Sequence, residues 1–180
     1  MKINWSKWEA EIPKHFKNIS ISSSLSVIEH IGEKDFLCVS RCSATKPTNI
    51  PNKTFTPKEL YISSQNKNFY LFCEHNKASY GILSDEHGIV FWNEKINWYD
   101  KHPNKLQEKD FKILGEQIAK KCEQRGIKNL AFYNGSPIMS LPYFKMIYFS
   151  EMPTLFFTKL STSYSLKGAQ EKKYETLLLF

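Results

Sequence analysis

Glycine is scarce in this chain, seven in 180 residues, and no two stand close enough to form a G-x-G or P-loop pattern. Those patterns let backbone N–H groups close around a phosphate, so their absence argues against nucleotide hydrolysis and Rossmann-type redox chemistry. Arginine is scarcer still. Arg41 and Arg125 are its only instances, poor equipment for bidentate reading of bases or phosphates. The four cysteines, Cys38, Cys42, Cys73 and Cys122, contain no C-x-x-C pair. With no second His or Cys set to complete a tetrahedral zinc site, they read as reduced, buried thiols. No apolar run approaches the roughly 20 residues of a membrane span. The N-terminal stretch MKINWSKWEAEIPK lacks the apolar core of a secretory signal. A cytoplasmic location is therefore expected.

Aromatic side chains are abundant: 13 Phe, 9 Tyr and 4 Trp, 14% of the chain. That is core-forming mass, and a chain of this length suits one core, so residues 1–180 are expected to form a single domain. The formal charge of +7 raises nucleic acid as a partner. Its distribution argues the other way, because residues 55–110 carry one more acid than base and no dense Lys/Arg stripe occurs. Lysines scattered in this manner read as a solvated face.

Trp5, Trp8, Ile12 and Phe16 recur at helical spacing, interrupted by Pro13, and the serines at 20–24 offer N-caps for a second helix closed by Gly32. Residues 36–41 suit a strand or a helix tail. Thr56-Pro57-Lys58-Glu59 has the cap, the proline and the acid of a helix start. Residues 68–74, 79–83 and 89–92 alternate as three strands of an antiparallel meander. Phe111, Leu114, Ile118 and Cys122 mark a helix stopped at Gly126. Residues 127–133 read as a strand running into a tight Asn134-Gly135 turn. The aromatic runs 143–149 and 154–160 suit a hairpin, and 171–180 a closing element. The expected fold is α+β: a mainly antiparallel sheet of about five or six strands, flanked by N-terminal helices and one central-to-C-terminal helix.

No nucleophile stands beside a recognisable base. His15, His30, His75, His87 and His102 fall in no arrangement with Ser or Cys. Cys73-Glu74-His75 is the nearest reactive cluster, yet on a strand Cys73 and His75 would share one face and Glu74 the other. The acid pairs Asp85-Glu86 and Glu108/Asp110 sit where acids commonly solvate turns and helix starts. The expectation is a protein without enzymatic activity, cofactor or metal.

A binding surface remains. Trp92, Trp98 and Tyr99 lie beside Asp85, Glu86, Glu94 and Asp100, a composition shared by interface hot spots, although tryptophans in a sheet also serve a core. In the same stretch Pro57, Leu60, Tyr61 and Ile62 precede Phe72, Cys73, Glu74 and Asn76. Then come Tyr80, Gly81 and Ile82, then Ile89, Val90 and Phe91, then Trp98 and Tyr99. This order, over about a quarter of the chain, resembles the SUKH superfamily of bacterial toxin-immunity proteins and yeast cell-wall-regulator relatives. His75 stands where that pattern has an acid, and Lys77 where glutamine is common. The resemblance implies a SUKH-like domain that binds a cognate protein toxin, a nuclease among the candidates, and neutralises it by occlusion. Glu74, Asn76, Asp85, Glu86, Trp92, Glu94, Trp98 and Asp100 are the partner-binding candidates. Two alternatives stay open: a regulatory scaffold of the same fold that binds a host protein, and a basic nucleic-acid-binding domain.

Overall fold

The computed structural model describes residues 2–135 and 137–160. Strands β1 (Ile19–Ile21), β2 (Phe36–Arg41), β4 (Tyr80–Ser84), β5 (Gly88–Phe91), β7 (Asn129–Tyr133) and β8 (Thr154–Phe157) build one sheet, in the order β1-β8-β7-β2-β4-β5. A separate antiparallel ribbon pairs β3 (Thr54–Phe55) with β6 (Ile96–Asn97). Within the large sheet only β4 and β5 run antiparallel; every other pairing is parallel. The fold is therefore α/β, and the expectation of a mainly antiparallel sheet is corrected. Parallel strands need helical crossovers that cover both faces, so they read as solid apolar runs. FLCV, GILS and LAFY are such runs, and each is buried throughout.

The helices are α1 (Trp8–His15), α2 (Ser24–Glu29), α3 (Pro57–Leu60), α4 (Ser64–His75), α5 (Glu108–Glu123) and α6 (Leu141–Ser150). Three sequence expectations change here. Residues 68–74 are not a strand but the body of α4, whose buried Asn66, Phe69, Tyr70 and Cys73 follow the 3.6-residue period, while Leu71 is exposed. Its cap is Ser63, whose hydroxyl accepts from the Asn66 N–H at 3.2 Å. Residues 143–149 lie in α6, which buries Tyr143, Phe144, Met146 and Ile147. A continuous apolar run carries no period that separates buried helix from buried strand. Asn134-Gly135 makes no hairpin: the chain passes through α6 and returns as β8 parallel to β7.

Other expectations stand. Thr56 and Glu59 form a capping box, with the Glu59 carboxylate accepting the Thr56 N–H at 2.8 Å. Gly32 adopts a positive φ of 100° just after α2, whereas Pro13, expected to end the first helix near Ile12 or to kink it, lies inside α1, which continues to His15. The closing element expected at 171–180 lies outside the described residues.

The aromatic residues divide between the two faces of the sheet. Phe132 meets Phe144 of α6 at 5.5 Å between ring centroids, and its neighbour Tyr133 stacks on Phe69 of α4 at 6.0 Å. Successive residues of a strand point to opposite sides, so α4 and α6 cover opposite faces. Phe156 and Phe157 of β8 repeat the split, the first against Phe144 and the second against Phe72.

Helix α5 approaches α6 so closely that only glycine fits at 115. A Cβ there would stand 2.7 Å from the backbone carbon of Phe149 and 2.8 Å from the Ser150 nitrogen, neither of which a rotamer change can move. Gly115→Ala is expected to destabilise the protein by about 1–3 kcal/mol, the usual cost of overpacking. The check is the urea midpoint of unfolding; a midpoint equal to that of the wild type would mean that the two helices do not cross at this distance.

Candidate functional site

The three central strands β7, β2 and β4 are parallel, so their carboxyl ends lie at one edge of the sheet. The residue that follows each strand is polar and buried: Cys42 after β2, Asp85 after β4 and Asn134 after β7. The chain leaves β2 for β4 on one side and later fills the other side with β7 and β8. The edge at β2 is thus the switch point at which open parallel sheets commonly bind ligands.

Cys42 Sγ lies 3.5 Å from Asp85 Oδ1 and 3.2 Å from the Tyr143 hydroxyl. The Tyr99 hydroxyl is 2.9 Å from Ser84 Oγ and 2.8 Å from the Tyr61 hydroxyl. Ser84 also accepts the N–H groups of Glu86 and His87, at 3.2 and 3.1 Å, which fixes the turn that carries Asp85. Lys46 places its ammonium 4.6 Å from the centre of the Tyr99 ring. Arg41, the last residue of β2, donates to Gln65 Oε1 at 2.9 Å, while its Nε is buried without a hydrogen bond among the described residues. Neither Arg41 nor Lys46 has a carboxylate in ion-pair range among the described residues.

Burial governs the electrostatics. It raises the Asp85 carboxyl above its ordinary 3.8, against the pull of hydrogen bonds from Tyr99 and Cys42 and of the Lys46 charge. The Cys42 thiol is pushed up to about 11, by burial first and by the Asp85 charge second, so it stays protonated at neutral pH. Desolvation also holds the phenols of Tyr61, Tyr99 and Tyr143 protonated. The cluster is a dense set of neutral donors around one carboxyl, with two cations at its margin.

Of the eight partner-binding candidates, Asp85 alone belongs to this cluster, and it is buried rather than exposed. Glu74 pairs with Lys58 and Glu86 with Lys101 at 2.9 Å. Glu94 accepts the Phe91 N–H at 3.0 Å and pairs with Lys121 and Arg125, which makes it a clasp on β5. Asn76 caps α4, its amide donating to the Phe72 carbonyl at 2.8 Å. Trp98 is half-buried and donates its indole N–H to the Pro47 carbonyl at 3.0 Å. Trp92 and Asp100 are exposed. Cys73 and His75, read as strand neighbours, sit on α4, where Cys73 is buried and His75 exposed. Cys42, Lys46, Ser84, Tyr143 and Asn134 were not singled out from the sequence as site residues. For Cys42 and Ser84 the signal was the ending of buried runs in small polar residues, FLCVSRCS and GILSD, as carboxyl ends of parallel strands do.

Among the described residues, no three His, Cys, Asp or Glu side chains converge as a metal set, and no helix is long and apolar enough to cross a membrane.

Residues 38–140 match the family model described as a family of unknown function, DUF6884. This span holds β4, β7 and all of β2 but its first two residues, and, apart from Tyr143, the whole cluster. No curated protein matches the chain. A solved structure described as that of AF0587, a protein of unknown function, is 14% identical at a TM-score of 0.40. The match covers 79% of this chain and 44% of that one, so the chain spans less than half of its length.

Asp85 supplies a stability test. Unfolded, the carboxyl titrates near 3.8; folded, it keeps its proton to higher pH. Between those two values the native chain binds more protons than the unfolded one, so the Asp85 contribution to stability falls as pH rises through that window. Asp85→Asn removes this loss. Urea unfolding is expected to find the variant at least as stable as wild type at pH 7, with the advantage gone near about pH 3, below both titrations. A variant clearly weaker at pH 7 would make the carboxylate a structural acceptor instead.

Proposed function

The chain belongs to the DUF6884 family, whose own description leaves function open, and from the chemistry of the site we propose that it binds a small anionic molecule at the carboxyl edge of its sheet and exchanges a proton with it through Asp85. The observation that carries this reading is the buried Asp85 carboxyl, raised in pKa and without a Lys or Arg partner in ion-pair range among the described residues. A buried acid of this kind is costly to a fold, and such groups concentrate where proton transfer is needed. Arg41 and Lys46 supply positive charge for the anionic part of the ligand. Tyr99 and Tyr143 offer hydroxyls to its polar atoms, and Cys42 holds Asp85 in place as a neutral donor.

An immunity-type role would place a protein toxin against the acids of residues 74–100. Its support is weaker, because Asp85 is buried and Glu74, Glu86 and Glu94 are already paired with cations.

A thermal-shift screen with nucleoside monophosphates, sugar phosphates and small carboxylic acids tests the proposal. At least one class is expected to raise the melting temperature, since a ligand at about a hundred times its Kd adds about 2.7 kcal/mol. Arg41→Met and Lys46→Met are expected to weaken that ligand about tenfold or more. Asp85→Asn should bind it and leave it chemically unchanged. A panel with no shift, or a shift that both cation variants retain in full, would overturn the reading.

A further inference from the structure

At the opposite edge, where the parallel strands begin, the structure carries a groove, and we propose that it holds a single-stranded nucleic-acid segment. Two recesses of about 520 and 510 Å³ open there and share Glu33 and Phe36 in their walls, so they lie side by side along this edge. Each is of the size that takes a small ligand or a nucleotide unit. Lys34, Lys77 and Arg125 line the first recess and Lys17 the second, against the single carboxylate of Glu33. That carboxylate already lies 3.0 Å from the ring of His30. Arg125 is shared with Glu94, while Lys17, Lys34 and Lys77 have no ion pair among the described residues. Trp92, 37% exposed, lines the first recess, with the Arg125 guanidinium 5.7 Å from the centre of its ring.

The basic residues have a common origin. Lys17 precedes β1, Lys34 precedes β2, Lys77 precedes β4 and Arg125 precedes β7, each by a few residues. A cation in the turn entering each of four parallel strands becomes a row along one edge, although in sequence the four are far apart. Lys77 holds its place at a φ of 55°, a left-handed conformation in which glycine would be easier. A row of cations beside an exposed aromatic residue is the combination that tracks a phosphate backbone and stacks a base. Stacking on Trp92 requires an unpaired base, which selects a single strand over a duplex.

Fluorescence anisotropy with labelled twelve-nucleotide oligothymidylate and oligouridylate, titrated with NaCl, tests this. Three or four phosphate contacts predict a log–log salt slope of about −2 to −3 for a single strand. Lys34→Glu with Lys77→Glu is expected to lose at least about tenfold in affinity and to flatten the slope by about 1.4, two contacts' worth. Trp92→Ala should lose about five- to a hundredfold with the slope unchanged. Lys67→Glu with Lys109→Glu changes the net charge equally on exposed helical positions outside both recesses and is expected to bind like wild type. Lys77→Gly relieves the left-handed strain, so it should fold at least as well as wild type and still bind more weakly. Equal losses in the two double variants would reduce the effect to diffuse charge and overturn the site. So would absence of binding at low salt, or a duplex that binds as tightly as the single strand.

Discussion

Parallel pairing of β7, β2 and β4 is the constraint on which the rest of the structure depends. Strands that run the same way cannot be joined by tight turns, so the chain crosses over between them: α4 lies between β2 and β4, α5 leads into β7 and α6 carries the chain on to β8, with α4 and α6 on opposite faces. Three consequences follow. Both faces of the sheet are sealed by aromatic layers, the carboxyl ends gather Cys42, Asp85 and Asn134 at one edge, and the entering turns gather Lys17, Lys34, Lys77 and Arg125 at the other. The close passage of α5 over α6 at Gly115 locks the second face in place.

The two edges differ in their physical character. At the carboxyl edge polar groups are buried, so desolvation dominates: it keeps the thiol and the phenols neutral and lifts the carboxyl. Interactions in such surroundings are strong because water does not compete for them. At the entering edge the cations are exposed, so their attraction for an anion is long-range, weakened by salt, and useful only in numbers. The proposed small-molecule site draws on the first kind of edge and the proposed polyanion groove on the second, since the strands of one sheet have two kinds of ends.

Much of the local structure was legible in the chain. The capping box at Thr56 and Glu59, the stripe of α5 and the strand at 129–133 follow from side-chain chemistry within a few residues. The misreadings have a shared cause. In 68–74 and 143–149 aromatic residues are so dense that an apolar side chain stands at nearly every position, and a run of that kind fits periods of both 2 and 3.6. Reading both segments as strands turned a parallel crossover fold into an antiparallel meander, and with it turned Asp85 into a surface acid. The resemblance drawn from residues 57–99 rested in part on that reading, since its strand ending in Phe72-Cys73-Glu74 is the last turn of α4.

The sequence by itself determined the amount of core, the caps and stops of most helices, and the excess of positive charge, because these depend on composition and on neighbours a few residues away. Tertiary structure alone decided the direction of the strands and therefore which residues meet. Cys42, Asp85 and Tyr143 are separated by 43 and 58 positions and touch only because β2 and β4 run parallel and α6 folds back across their ends. Contacts of that span depend on the path of the whole chain, and no local period records it.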